Sequence, residues 1–181
     1  MYNLLVIPLT VVGAFILSAC AYDIKAENKA ATAIETQAIT ASNLNIALET
    51  SDTLDQEAMN LGIACSAHKY KMRLSEDLNE RFTALDKDGS LNNTSAADVK
   101  VVASTSRSTV KCIQKSSVSG ICEGEVQISG KTVSKSGIAK PFAITKKSSA
   151  STVSCGGAKK SLAQASNDAI SDLVEIVQSY N

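Results

Sequence analysis

The sequence predicts an α+β domain: an antiparallel β-meander with two amphipathic helices packed on one face, preceded by an apolar leader and a tether. Three observations predict it. Residues 68–85 and 158–180 carry apolar side chains at helical spacing, with charges on the opposite side. Residues 97–114, 121–128 and 138–145 alternate with period two and are rich in β-branched residues. Clusters of Gly, Ser and Asp separate these runs. Striped helices and a one-sided sheet bury each other in two layers.

In chain order, residues 21–42 are rich in Ala, Thr, Glu and Lys and hold no Gly or Pro. The weak spacing of Ala30, Ile34, Ala38 and Ala41 makes this a partly helical tether, because an isolated helix of that length is marginal. Leu44-Asn45-Ile46-Ala47-Leu48 alternates as a strand does. Thr53 and Gln56 have the spacing of a capping box. Residues 54–67 fit two templates: Leu54, Ala58, Leu61 and Cys65 share a helical face, while Leu61, Ile63, Cys65 and Ala67 alternate. Gly62 tilts the reading to a short helix or turn and then a strand.

The first helix is expected over 68–85, with Met72, Leu74, Leu78, Phe82 and Leu85 inward. Asp86-Lys87-Asp88-Gly89-Ser90 stops it. A long strand over 97–114 turns at Ser116–Gly120 and returns over 121–128, punctuated by Ser129-Gly130. The third strand, 138–145, holds Pro141, which lacks an N–H and therefore belongs on an edge or at a bulge. The last helix aligns Leu162, Ala165, Ala169, Leu173, Ile176, Val177 and Tyr180.

The leader decides location. Residues 4–17, LLVIPLTVVGAFIL, are 14 uncharged apolar residues interrupted by Pro8 and Gly13. A helical span needs about 20 such residues, so the run reads as the apolar region of a secretory signal. It ends in Leu17-Ser18-Ala19-Cys20, which resembles the bacterial lipobox: a leucine, two small residues and a cysteine. The resemblance implies cleavage between Ala19 and Cys20, a diacylglycerol on the Cys20 thiol and an N-acyl chain on its new amine. The first three residues carry no Lys or Arg, a departure from the usual positive start. A plain signal that ends in cysteine and an uncleaved anchor are the competing readings. By likeness to enteric lipoproteins, Ala21 in place of Asp implies the outer membrane, inner leaflet, facing the periplasm. The organisation is then a signal peptide over 1–19, lipidated cysteine and tether over 20–42, and one domain over 43–181.

Composition bounds function. The 18 basic and 18 acidic side chains cancel, which argues against a nucleic-acid partner needing a basic face. After residue 19 the aromatics are Tyr22, Tyr70, Phe82, Phe142 and Tyr180, so the core is thin and gains from cross-links. Cys65, Cys112, Cys122 and Cys155 form an even set, as disulfides in an oxidising compartment require. Four cysteines allow three pairings. Strands paired about residue 117 bring Cys112 to Cys122, and two helices on one sheet face bring Cys65 near Cys155.

Two metal readings fail on spacing. FTALDKDGSLNN resembles the front of an EF-hand with Asp86, Asp88 and Ser90 as ligands, but Leu91 replaces the turn glycine and Ala97 replaces the closing carboxylate. Cys65-x-x-His68 lacks a second close pair, and Cys112 to Cys122 is too wide for a zinc knuckle. A Cys65 nucleophile served by His68 is the only enzymatic candidate; G-x-S-x-G, a phosphate loop and H-E-x-x-H are missing.

The order of parts is similar to that of small outer-membrane lipoproteins of the YajG type and, more broadly, transport-auxiliary lipoproteins. The likeness covers roughly 43–180 through KMRLSEDLNERFTAL, ADVKVVASTS, GEVQISG and KKSLAQASNDAISDLVEIVQ, and the four later cysteines depart from it. The anchor and the missing catalytic motifs make the expectation a non-enzymatic envelope protein, membrane-attached through Cys20, without cofactor or metal, and accessory to a transport or assembly complex through an envelope protein partner. The alternative is a binding module for a small apolar or lipid ligand between sheet and helices.

Overall fold

The computed structural model describes residues 21–25, 43–89, 91, 95–116, 119–152 and 155–180. The expected signal peptide, Cys20, most of the tether and loop residue Ser90 lie outside that set. In order come β1 (Ala21–Ile24), β2 (Ile46–Thr50), a 3-10 turn (Asp52–Asp55), β3 (Met59–Asn60), β4 (Lys69–Met72), α1 (Leu74–Leu85), β5 (Val99–Ser116), β6 (Ser119–Ser134), β7 (Ala139–Thr152) and α2 (Gly156–Gln178).

The fold is α+β, as the sequence predicts. The antiparallel meander β5-β6-β7 is its centre, and β2 and β3 add in parallel to the free edge of β5. Residues 46–62 climb that edge in steps. Ile46 pairs with Val99, the 3-10 turn crosses at Ser104–Ser106 through Thr53 Oγ1–H to the Ser104 carbonyl, and Met59 pairs with Thr109. Ser51 caps the turn by accepting from the Thr53 N–H. The expected capping box is displaced by two residues, and Gln56 ends the turn rather than capping it.

One apolar layer lies under both helices. Val99, Val101 and Ala103 point into it, and a register shift after Ala103 returns Val110 and Cys112 to the same face. Across the sheet, Cys122, Val126, Ile128 and Ile144 continue the face. Leu74, Leu78, Phe82, Leu162, Leu173 and Val177 are fully buried against it. Each such side chain contributes about 1.5–3 kcal/mol by leaving water. Ser161 and Ser166 are buried in α2 but donate to the helix's own carbonyls of Ala158 and Leu162. Their small hydroxyls therefore enter the layer without an unsatisfied group.

Several expected boundaries move. The helix expected from residue 68 begins at Leu74; Lys69–Met72 is a strand, with Tyr70 and Met72 buried and Lys69 and Lys71 out. Its first turn is capped from a distance: the Asp55 carboxylate accepts from the Ser75 N–H at 2.9 Å. Residues 62–67 form a turn instead of a helix or strand. β6 runs through Ser129-Gly130, because a side chain at 130 would meet the Val102 carbonyl; this glycine permits close approach and makes no turn. β7 continues to Thr152, seven residues past the expected end, and Pro141 sits on it as the edge strand.

The tether also changes. Ala21–Ile24 pairs in parallel with Lys69–Met72, Ala21 opposite Lys69 and Ile24 opposite Met72. Ile24 is 1% exposed. Ala21–Ile24, inside the stretch expected as tether, is therefore part of the described fold.

Candidate functional site

The chemistry-bearing residues gather at the end of the sheet where β5 turns into β6, the hairpin end. Cys112 and Cys122 are directly paired partners there, with Cα atoms 4.0 Å apart and a 2.04 Å bond between sulfurs. Cys65 bonds Cys155 across 90 residues of sequence, tying the 62–67 turn to the start of α2. Both pairings meet the expectation, although Cys65 precedes a strand and not a helix.

The 62–67 turn is braced. Cys65 takes a left-handed backbone with φ of 61°, unusual for a side chain with a Cβ. Asn60 holds it from both sides: its amide donates to the Cys65 carbonyl at 3.0 Å and its carbonyl accepts from the Gly62 N–H at 2.9 Å. The Leu61 N–H donates to the Val110 carbonyl, fixing the entry to the turn on β5. Gly62 lies so close that a Cβ would stand 3.0 Å from the Cys112 carbonyl oxygen. Out of this brace Ile63 projects, 95% exposed.

Beside the turn, Tyr22, His68 and Tyr70 form an aromatic group. Tyr22 stacks on Tyr70 at 5.8 Å, and His68 tilts against Tyr22 at 5.4 Å. Burial pushes the Tyr70 hydroxyl above its ordinary pKa, and Tyr22 adds to the shift. His68 is half-buried in this group and not at a solvent-facing helix start. Its Nδ1 has no hydrogen-bond partner among the described residues. Cys65 is held in a disulfide, so its sulfur has no thiolate to offer as nucleophile or ligand. Among the described residues, no group of three or more His, Cys, Asp or Glu is placed to hold a metal ion.

The EF-hand likeness dissolves in the same way. Asp86 turns inward, and its carboxylate accepts from the Ile46 N–H at 2.6 Å, closing α1 onto β2. Asp98 serves β2 likewise, accepting from the Asn45 N–H and from Lys135. These partners hold the Asp98 carboxyl below its ordinary pKa, the Asn45 hydrogen bond first among them.

The layer between sheet and helices, where an apolar ligand is expected in the alternative reading, is filled by fully buried side chains. A shallow cleft of about 420 Å³ lies instead beside Leu61, over Thr109, Lys111, Glu123, Glu125 and Lys147. Lys147 and Glu125 pair across it at 2.6 Å. Its mixed charge and exposure suit water better than an acyl chain. No described helix is long and apolar enough to cross a membrane.

These features define a disulfide-linked α+β domain with a braced turn and an aromatic group at its hairpin end. No family model matches the chain, and no curated protein matches it. Among solved structures it is similar to a Xanthomonas campestris protein of the family DUF330, at 10% identity and a TM-score of 0.35, over 76% of this chain and 85% of that one. At that identity and TM-score the likeness assigns neither fold nor role. The resemblance to YajG-type lipoproteins therefore rests on the element order and on Leu17–Cys20.

Proposed function

We propose that the protein is a lipid-anchored envelope protein, held at the inner leaflet of the outer membrane and facing the periplasm, that acts without catalysis as an accessory to a transport or assembly complex. One observation carries the reading: Leu17-Ser18-Ala19-Cys20 ends an apolar leader and stands directly before Ala21, the first residue of β1. Two disulfides suit an oxidising compartment. They also leave Cys20 as the one cysteine of the chain outside a disulfide pair, and so as the thiol available for a diacylglycerol. Three acyl chains hold a protein far more firmly than the single chain that gives reversible binding.

Metabolic labelling with a palmitate analogue tests the anchor. Wild type is expected to take up label and Cys20→Ala to lose it; equal labelling of both, or of neither, rejects the anchor. Crosslinking in intact cells followed by capture tests the accessory role. A specific envelope partner is expected, and its absence across crosslinker lengths counts against that role.

A further inference from the structure

We infer that the hairpin end of the domain lies on the membrane itself, with Ile63 inserted among the lipids and Lys159 and Lys160 against their anionic headgroups. The inference rests on the lipid anchor proposed above and adds an orientation to it.

The topology places the anchor. β1 and β4 are parallel, and Ala21 is opposite Lys69, the first residue of β4. β4 runs away from the hairpin end, because its partner segment at Glu57 is antiparallel to it and climbs toward that end alongside β5. Lys69 directly follows His68 and the braced 62–67 turn, so Ala21 lies at this end of the domain. One trans peptide unit spans about 3.8 Å between Cα atoms, so a lipid on Cys20 is attached one residue from β1.

The surface has the chemistry of an interfacial contact. Ile63 is the most exposed large apolar residue described; Leu61, two residues before it, is 55% exposed, and Ile113 on β5 is 48% exposed. The disulfide, Asn60 and the left-handed Cys65 hold Ile63 out of the core against the hydrophobic drive to bury it. Lys159 and Lys160 are exposed in the first turn of α2, which holds no acidic residue. Lysines there oppose the helix dipole, which favours anions at that end. Together the positive helix end and the lysines complement anionic headgroups.

The chain has no tryptophan, so one introduced indole reports its own depth. Full-length protein carrying Ile63→Trp is expressed, extracted and reconstituted in vesicles of phosphatidylethanolamine and phosphatidylglycerol with brominated acyl chains. Ile138→Trp is the matched control; Ile138 is 60% exposed in the turn at the other end of the sheet. Intact mass of the same sample reads acylation of Cys20. With acylation present, bromolipid is expected to quench the Ile63→Trp indole about twofold or more and leave the Ile138→Trp indole unchanged. Acylated protein in which both indoles are quenched alike, or neither is, overturns the docked orientation and leaves the anchor standing. Protein without acyl chains overturns the anchor and the orientation with it.

Discussion

Replacing Gly124 with alanine tests how α2 is seated. Gly124 lies on the core face of β6, and a Cβ there would stand 2.7 Å from the Leu162 nitrogen, 2.8 Å from the Ser161 carbonyl carbon and 3.0 Å from the Leu162 Cα. All three are backbone atoms, so no side chain can swing aside. To bring the first contact to 3.4 Å the helix must retreat by about 0.7 Å. A gap of that order forfeits a quarter to a half of the dispersion well for neighbouring contacts. Leu162, Ala165, Ala169 and Leu173 are fully buried on that helix and all feel it. Overpacking of this kind costs about 1–3 kcal/mol. The lower unfolded-state entropy of alanine offsets only about 0.4–1 kcal/mol. The net loss lowers Tm by about 2–4 °C per kcal/mol in a domain of this size. Urea unfolding followed by far-UV circular dichroism reads it as a lower midpoint with unchanged slope. Gly89→Ala is the comparison: nothing lies within 4 Å, and its φ of +63° makes the cost one of backbone conformation alone. A Gly124→Ala protein as stable as wild type, or more stable, would refute this seating of the helix.

Other outcomes follow from the same structure. Removing Cys65–Cys155 by paired alanine substitutions frees a 90-residue separation and is expected to cost about 4–5 kcal/mol by loop entropy. Removing Cys112–Cys122 frees only 10 residues and is expected to cost about 2–3 kcal/mol, so denaturant midpoints should rank the two pairs in that order. Because the Asp98 pKa is depressed in the fold, its contribution is present above the ordinary carboxylate range and lost as pH falls through the folded value. Asp98→Asn is therefore expected to lower stability at neutral pH and to flatten the acid limb of urea midpoints. Tyr70 behaves oppositely: its raised pKa gives stability that is full below the ordinary tyrosine value and lost as pH rises through the folded one. Tyr70→Phe is expected to extend stability at alkaline pH, read by circular dichroism across a titration.

Long, one-patterned segments were legible in the sequence. The stripe of α1 from Leu74 to Leu85, the stripe of α2 and the pairing of Cys112 with Cys122 all follow from local periodicity. The start of α1 was not legible, because Tyr70 and Met72 alternate as a strand while Met72, Leu74 and Leu78 also fit a helix. Its partners decide between them, residues 56–58 on one side and Ala21–Ile24 on the other, and four residues after a leader carry no pattern of their own. The second half of β7 was missed for a different reason. Lys146, Ser148 and Ala150 face the core side but are polar or small, because α2 crosses closely there and Lys146 reaches Asp172 at 2.7 Å. The hairpin-end surface was invisible for the same reason as β1. Its members come from four separate segments, and only parallel pairing of β1 with β4 and the Cys65–Cys155 bond bring them together.

The central claim is a lipid-anchored domain whose other cysteines are all cross-linked. Intact mass of the membrane-extracted protein, before and after alkylation without reductant, tests it most directly. The expected mass is that of Cys20–Asn181 plus three acyl chains, with no alkylation. An unlipidated chain, or a chain that takes up alkylating reagent, would contradict it.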